Sequence, residues 1–183
     1  MYHQVRFTAE KIARRIALIE PYIYRQRLPL APFRFQQLDS PLEGNLVNSQ
    51  YDDSGWAIIQ PGQEWGIWRT NFILRTKYKV PLDWVQSFAE EDSPPIALYL
   101  PLGDAGDFCH PEALAYIDGS PYASCDRYHQ EIILPTDMLD EHEHSLALAG
   151  WTGLGGDMLR RATLRVRQSI LRASVGRTTE MIR

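Results

Sequence analysis

The sequence predicts a mainly β fold, a sandwich or jelly roll, preceded by one helix and followed by a basic tail. Three observations carry this. Between residues 33 and 150, short apolar or alternating runs are separated by Pro-Gly, Pro-Pro, Gly-Asp and Asp-Gly pairs. Many short strands with such punctuation are the signature of an all-β sandwich. No alternation of strand and helix periods occurs, which excludes a doubly wound sheet. A helical period precedes the β region, and an arginine-rich composition follows it.

The helix is expected over Thr8–Ile23. Thr8 can cap its N-terminus, and Ile12, Ile16 and Ile19 recur at helical spacing with Arg14 and Arg15 turned outward. Pro21 stops or kinks it. Residues 22–32 then read as an extended arm broken by Pro29 and Pro32. The strand runs are Gly55–Ile59, Thr70–Val80, Ile96–Leu100, Leu114–Ile117, Glu131–Leu134 and Ser145–Ala149. From Asp157 onward seven arginines meet one further carboxylate, Glu180, and no Trp, Tyr or Phe. The expected organisation is a helix and arm over 1–32, a sandwich over 33–156, and a tail over 157–183, helical or disordered.

A chain of 183 residues suits one domain plus roughly 30 residues of arms. Hydrophobic residues make up 44%, enough for a core, and the net charge of −4 gives no reason to expect nucleic acid or a membrane as partner. Five Trp and nine Tyr fit a large sandwich core better than a sugar-binding surface. Two cysteines, Cys109 and Cys125, make neither a disulfide framework nor a C-x-x-C zinc pair. The first ten residues lack an apolar run, and no stretch approaches the roughly 20 apolar residues of a membrane span. A cytoplasmic protein with reduced thiols is the expectation.

Candidate chemistry is sparse. His142 and His144, within Asp140-Glu141-His142-Glu143-His144, would share one face of a strand and offer two imidazoles to a metal. A solvated turn is the stronger reading, because no third ligand is close in sequence. Cys109 and His110 are neighbours that point apart on an extended chain, so they do not form a nucleophile–base pair. His129 could serve either cysteine only across space. The glycines of Gly153-Leu154-Gly155-Gly156 are not followed by a phosphate-binding Lys and read as a corner loop. Glu90, Glu91 and Asp92, and Asp104 with Asp107, read as loop carboxylates rather than an acid–base pair. The tail arginines lack interleaved aromatics for base stacking.

Four stretches, in order, carry a resemblance. They are Trp65-Gly66-Ile67-Trp68-Arg69-Thr70-Asn71-Phe72, Lys79-Val80-Pro81-Leu82-Asp83-Trp84, Glu112-Ala113-Leu114-Ala115-Tyr116-Ile117-Asp118-Gly119-Ser120-Pro121, and Leu146-Ala147-Leu148-Ala149-Gly150-Trp151-Thr152-Gly153. The third continues into Asp126-Arg127-Tyr128-His129-Gln130-Glu131-Ile132. Together they resemble the N-terminal domain of glycoside hydrolase family 38 α-mannosidases of the cytosolic and bacterial type. The resemblance implies a galactose-binding-like jelly roll. It also implies that Asp118, Asp126, Tyr128, His129 and Trp151 belong to a loop region that contacts carbohydrate or docks a catalytic domain.

For a parent enzyme the resemblance implies α-mannoside hydrolysis with zinc held in a following catalytic domain. None of His3, His110, His129, His142 or His144 matches the family's H-x-D-x-x-W segment, so no catalytic residue, metal or cofactor is expected in this chain. The expected role is a non-catalytic domain whose partner is the parent's catalytic domain or a separately encoded one. A free-standing carbohydrate-binding or protein-docking module is the alternative. After Gly156 the chain departs from the family's pattern, which is the reading of a truncated or frame-shifted product.

Overall fold

A computed structural model describes residues 8–41, 45–60, 63–87, 96–103, 110–153, 164–165 and 170–174. Helix α1 (Thr8–Ile23) leads into β1 (Tyr24–Pro29) and β2 (Phe33–Leu38). There follow β3 (Ala57–Ile59), β4 (Glu64–Trp65), β5 (Asn71–Lys79), the short helix α2 (Leu82–Ser87) and β6 (Ile96–Tyr99). The remaining strands are β7 (Glu112–Ile117), β8 (Ser120–Cys125), β9 (Glu131–Ile133), β10 (Glu143–Trp151), β11 (Leu164–Arg165) and β12 (Ile170–Ser174). Six strands pair in the order β3-β2-β5-β10-β7-β8, four in the order β1-β12-β6-β9, and β11 with β4. Every pairing is antiparallel.

The two larger sheets share one core, which makes the expected β-sandwich. On β5, Phe72, Leu74 and Tyr78 alternate inward, as period-two sequence requires. Leu146 and Leu148 of β10 and Ala113, Ala115 and Ile117 of β7 extend the same face. Opposite them stand Ile96 and Leu98 of β6 and Ile132 of β9. Trp65 packs edge-on between Phe35 and Phe72, and its indole N–H donates to the Leu102 carbonyl at 3.2 Å. Each such large side chain removed from water contributes about 1.5–3 kcal/mol.

Helix α1 and six strands fall on the expected runs. The arm and the tail differ. Residues 24–29 form a strand, β1, and residues 170–174 form β12, which lies between β1 and β6. The four-stranded sheet therefore draws on segments outside both expected boundaries at 33 and 156. A helix or disorder over 157–183 is replaced at Leu164–Arg165 and Ile170–Ser174 by strands; the rest of that stretch lies outside the described residues. The Asp118-Gly119 turn joins β7 to β8, and the 131–134 run supplies β9, which pairs with β6 in the other sheet.

The outer face of the six-stranded sheet is partly covered by the loop between β2 and β3. Ile73, Ala147 and Ala149 pack there under Leu46, Val47 and Trp56. Arg75, 5% exposed, fastens that loop. Its Nε meets Asp53 Oδ2 at 2.7 Å, a terminal nitrogen donates to the Leu46 carbonyl, and the guanidinium lies 5.7 Å from the Tyr51 ring centroid and 6.0 Å from that of Trp56. Arg34 Nε reaches the other Asp53 oxygen at 3.3 Å. At Gly150 the strands approach so closely that a Cβ would lie 2.0 Å from the Glu112 carbonyl oxygen and 2.7 Å from Ala113 Cα.

Two stability predictions follow from these contacts. Arg75→Ala leaves the Leu46 carbonyl without its donor and Asp53 with Arg34 alone, and should cost about 3 kcal/mol in urea unfolding. A loss under about 1 kcal/mol would show that the loop is held by other means. Gly150→Ala sets a methyl against backbone and should cost at least about 2 kcal/mol, read in the same assay.

Candidate functional site

The densest polar cluster assembles at one end of the six-stranded sheet. Asp118 (φ 50°) and Gly119 (φ 83°) both adopt positive φ, the two-residue turn that Asp-Gly favours. That turn delivers the Asp118 carboxylate to the start of β10. One oxygen accepts from the Ser145 amide at 2.8 Å and its hydroxyl at 3.3 Å; the other accepts from His144 Nδ1 at 2.6 Å. His144 Nε2 lies 3.0 Å from Asp140 Oδ1. With a carboxylate at each nitrogen, the protonated ring of His144 donates twice, which favours the imidazolium. Its ring stacks on Tyr78 at 5.4 Å. His142 does not share this place: it precedes the strand, stays exposed, and sets Nδ1 3.0 Å from Asp140 Oδ2.

The electrostatics follow. Burial works to lower the His144 pKa, but the hydrogen bonds it donates to Asp118 and Asp140 outweigh burial and raise it. Burial likewise opposes ionisation of Asp118, yet the His144 and Ser145 donors hold its pKa below the ordinary value. The His142 backbone N–H is the largest influence on Asp140, held at about 2. Beside the cluster runs a cleft of about 370 Å³ lined also by Ser49, Gln50 and Lys77. Lys77 is engaged with Glu143 at 2.8 Å. No group of three or more His, Cys, Asp or Glu among the described residues is arranged to hold a metal ion.

Asp126, Tyr128 and His129 lie at the other end of β8, in the loop to β9. Asp126 Oδ1 accepts from the amides of Tyr128 at 2.6 Å and His129 at 2.8 Å, and its carboxylate also meets His129 Nδ1 at 2.9 Å. Burial opposes ionisation here too, but the His129 ring and these amides win and lower the Asp126 pKa. The loop is thus closed on itself and holds Tyr128 outward, 73% exposed, edge-on to His110 at 6.0 Å. Trp151 ends β10 opposite Glu112, while Cys125 ends β8 opposite Ala113. Trp151 and the Asp126 loop therefore share one end of the sandwich, and Asp118 stands at the other.

Cys125 is buried at the end of β8, its thiol 3.3 Å from the Leu100 carbonyl, and burial pushes its pKa up to about 12. His129, held by Asp126, does not serve it. Cys109, Glu90, Glu91, Asp92, Asp104, Asp107, Gly155 and Gly156 lie outside the described residues. Sequence reasoning passed over Asn71, Glu112, Tyr116 and Ser124. These meet Trp151 around a shallow groove of about 470 Å³ on the outer face of the six-stranded sheet. Their strand alternation was the signal, since each faces opposite to a buried neighbour.

No family model matches the chain, and no curated protein matches it. Among solved structures, a β-glucuronidase of Bacteroides uniformis superposes with a TM-score of 0.54 at 17% identity, over 82% of this chain and 18% of that one. A calcium-binding mutant of Bacteroides uniformis β-glucuronidase 2 gives 0.52 at 17% identity, over 82% of this chain and 18% of that one. A β-glucuronidase from glycoside hydrolase family 2 gives 0.51 at 14% identity, over 80% of this chain and 17% of that one. At these identities the likeness is one of fold, and the chain spans less than a fifth of these structures.

These matches overturn the resemblance to family 38 α-mannosidases. The stretches quoted for it are demands of the sandwich: Trp65 and Trp68 are buried core, and Asp118-Gly119 is the turn the hairpin needs. The implied zinc and α-mannoside lose their basis with it. No described helix is long and apolar enough to cross a membrane.

The cluster at His144 fixes the pH dependence of stability. A raised His144 pKa contributes stability that is full below its unfolded value of 6.5 and lost as pH rises through the folded value. Depressed Asp118 and Asp140 contribute above 3.8 and lose their contribution as pH falls through their folded values. The urea midpoint should therefore fall on both the alkaline and the acid side. His144→Gln should flatten the alkaline limb from about pH 6.5 upward, and an unchanged limb would assign it to another group.

Proposed function

We propose that this chain is a non-catalytic β-sandwich domain of a larger glycoside hydrolase, seated against that enzyme's catalytic domain. The observation that carries the reading is the superposition of 82% of this chain on less than a fifth of several β-glucuronidases. The disposition of the titratable groups supports it. His144 is locked between two carboxylates, His129 closes its own loop, and Cys125 is a buried thiol. A reacting group needs a free valence toward substrate; His144 and Cys125 have none to offer, and the His129 ring, with Nδ1 on Asp126, stands 70% exposed on the surface rather than in a pocket.

The partner is the catalytic domain, on the same polypeptide or a separate one. The β8–β9 loop is the docking element. Asp126 prepays the ordering of that loop, so Tyr128 offers a rigid aromatic anchor at little entropic cost. Because the structural neighbours are β-glucuronidases, a β-glycoside is the substrate class for the parent enzyme. Localisation in the cytoplasm remains part of the proposal and rests on the sequence alone.

The purified chain should release no p-nitrophenol from aryl β-glucuronide or β-glucoside, and measurable turnover would refute the non-catalytic role. In titrations against the catalytic domain, Tyr128→Ala should weaken association about tenfold or more. Unchanged affinity would move the docking face elsewhere.

A further inference from the structure

Clefts among the described residues of the six-stranded sheet differ in how their polar groups are spent. In the cleft of about 430 Å³ between Arg34 and Glu143, Arg34 and Arg75 are tied to Asp53, and Lys77 to Glu143. In the cleft beside His144, Asp118, Asp140 and Ser145 are tied to one another through the imidazolium and the β10 backbone. The groove of about 470 Å³ at the opposite end is different. The Asn71 amide, the Tyr116 and Ser124 hydroxyls and the Trp151 indole N–H line it without a side-chain hydrogen bond among the described residues. Glu112 comes only within 3.6 Å of His110 and is 69% exposed.

The register explains the groove's shape. Asn71, Trp151 and Glu112 sit abreast on β5, β10 and β7. One row along, Ala149 lies between Ile73 and Leu114, and Leu114 pairs with Ser124. Tyr116 stands in the row beyond, beside Ala147. Leu114, Ala149 and the Gly150 backbone form the floor, and Gly150 cannot be enlarged. Trp151 and Tyr116 stand at either end of that floor, four steps apart along β10 because Tyr116 pairs with Ala147, on the order of 13 Å.

We propose that this groove binds a neutral hexopyranose segment of a glycan. A pyranose presents an apolar C–H face and a rim of hydroxyls. An aromatic wall meets the first, and unspent amide, hydroxyl and carboxylate groups meet the second. The volume lies in the range of about 300–1,000 Å³ typical of small-ligand sites. The charge selects among sugars: among the described residues Glu112 is the one ionisable carboxylate lining the groove, and no Lys or Arg lines it. A uronate carboxylate would face the Glu112 carboxylate, so neutral sugars are the class. The assignment goes beyond the docking reading and is scored with no catalytic domain present.

The test is an NMR titration of the isotope-labelled full chain with cellobiose, mannobiose, lactose and glucuronate, each to about 10 mM, a range suited to a shallow site. At least one neutral disaccharide should give saturable shifts at the Trp151 indole N–H and the Gly150 amide, with glucuronate at least about tenfold weaker. Trp151→Ala should abolish saturation. Ser124→Tyr, at an exposed position, should block the groove with Trp151 still in place and serves if the first variant misfolds. No saturable shift with any sugar, glucuronate binding as well as the neutral sugars, or shifts that persist in Ser124→Tyr would overturn the proposal.

Discussion

Strand β10 is the constraint on which the rest depends. All nine of its residues pair with β5, and six of them also pair with β7. A strand held on both edges and covered on both faces over most of its length must satisfy two environments with alternate residues. Inward, Leu146 and Leu148 fill the core. Outward, Ser145, Ala147 and Ala149 are small, and that smallness has two consequences. It lets the 45–56 loop lie on the sheet near its middle, and it leaves an open floor where the loop does not reach. Both ends of β10 then carry the polar features of the molecule, with His144 at its start and Trp151 at its close. A one-residue slip would turn Leu146 and Leu148 outward and send the Ser145 side chain away from Asp118.

The polar groups follow one rule: a charge removed from water is paired more than once. Arg75 has Asp53, the Leu46 carbonyl and two aromatic rings; His144 has two carboxylates and a stacked phenol ring. Such multiply satisfied groups fix geometry, since removing one partner strands the others in a poorly solvated place. They also fasten pieces distant in sequence: Arg75 joins β5 to the β2–β3 loop, and His144 joins β10 to the β7–β8 turn. Their saturation is what gives the unspent groups around Trp151 their meaning. Exposed polar atoms can always turn to water, but convergence of several on one aromatic-walled floor is a property of shape, not of solubility.

Much of the fold was legible because its signals are local. Ile12, Ile16 and Ile19 mark α1, alternation marks β5, and Asp118-Gly119 marks a tight turn. What was not legible depends on partners far along the chain. Strand β8 contains Pro121, two serines, an alanine and a cysteine, and reads as turn until β7 is set beside it. Strand β12 carries an arginine within an arginine-rich stretch, so its composition resembles a tail; its place is defined by β1 and β6. The candidate site behaved likewise. Asp118 and His144 each stood out, but their contact spans 26 positions and needs the β7–β10 pairing to exist. His142 and His144 were expected on one face. Because β10 begins at Glu143, only His144 takes a strand's inward place.

The overturned resemblance has the same physical root. An aromatic held in a sandwich corner, an Asp-Gly hairpin turn and a Gly where two strands crowd are requirements of the architecture, and unrelated sandwiches meet them with the same residues. Trp65, Asp118-Gly119 and Gly150 satisfy such requirements, so they identify a fold and are silent about a substrate. Residues that carry no architectural duty are the informative ones. Asn71, Ser124 and Trp151 anchor no loop and complete no ion pair, yet the ladder sets them around one floor. Function is to be sought where the structure's own needs do not already explain the side chain.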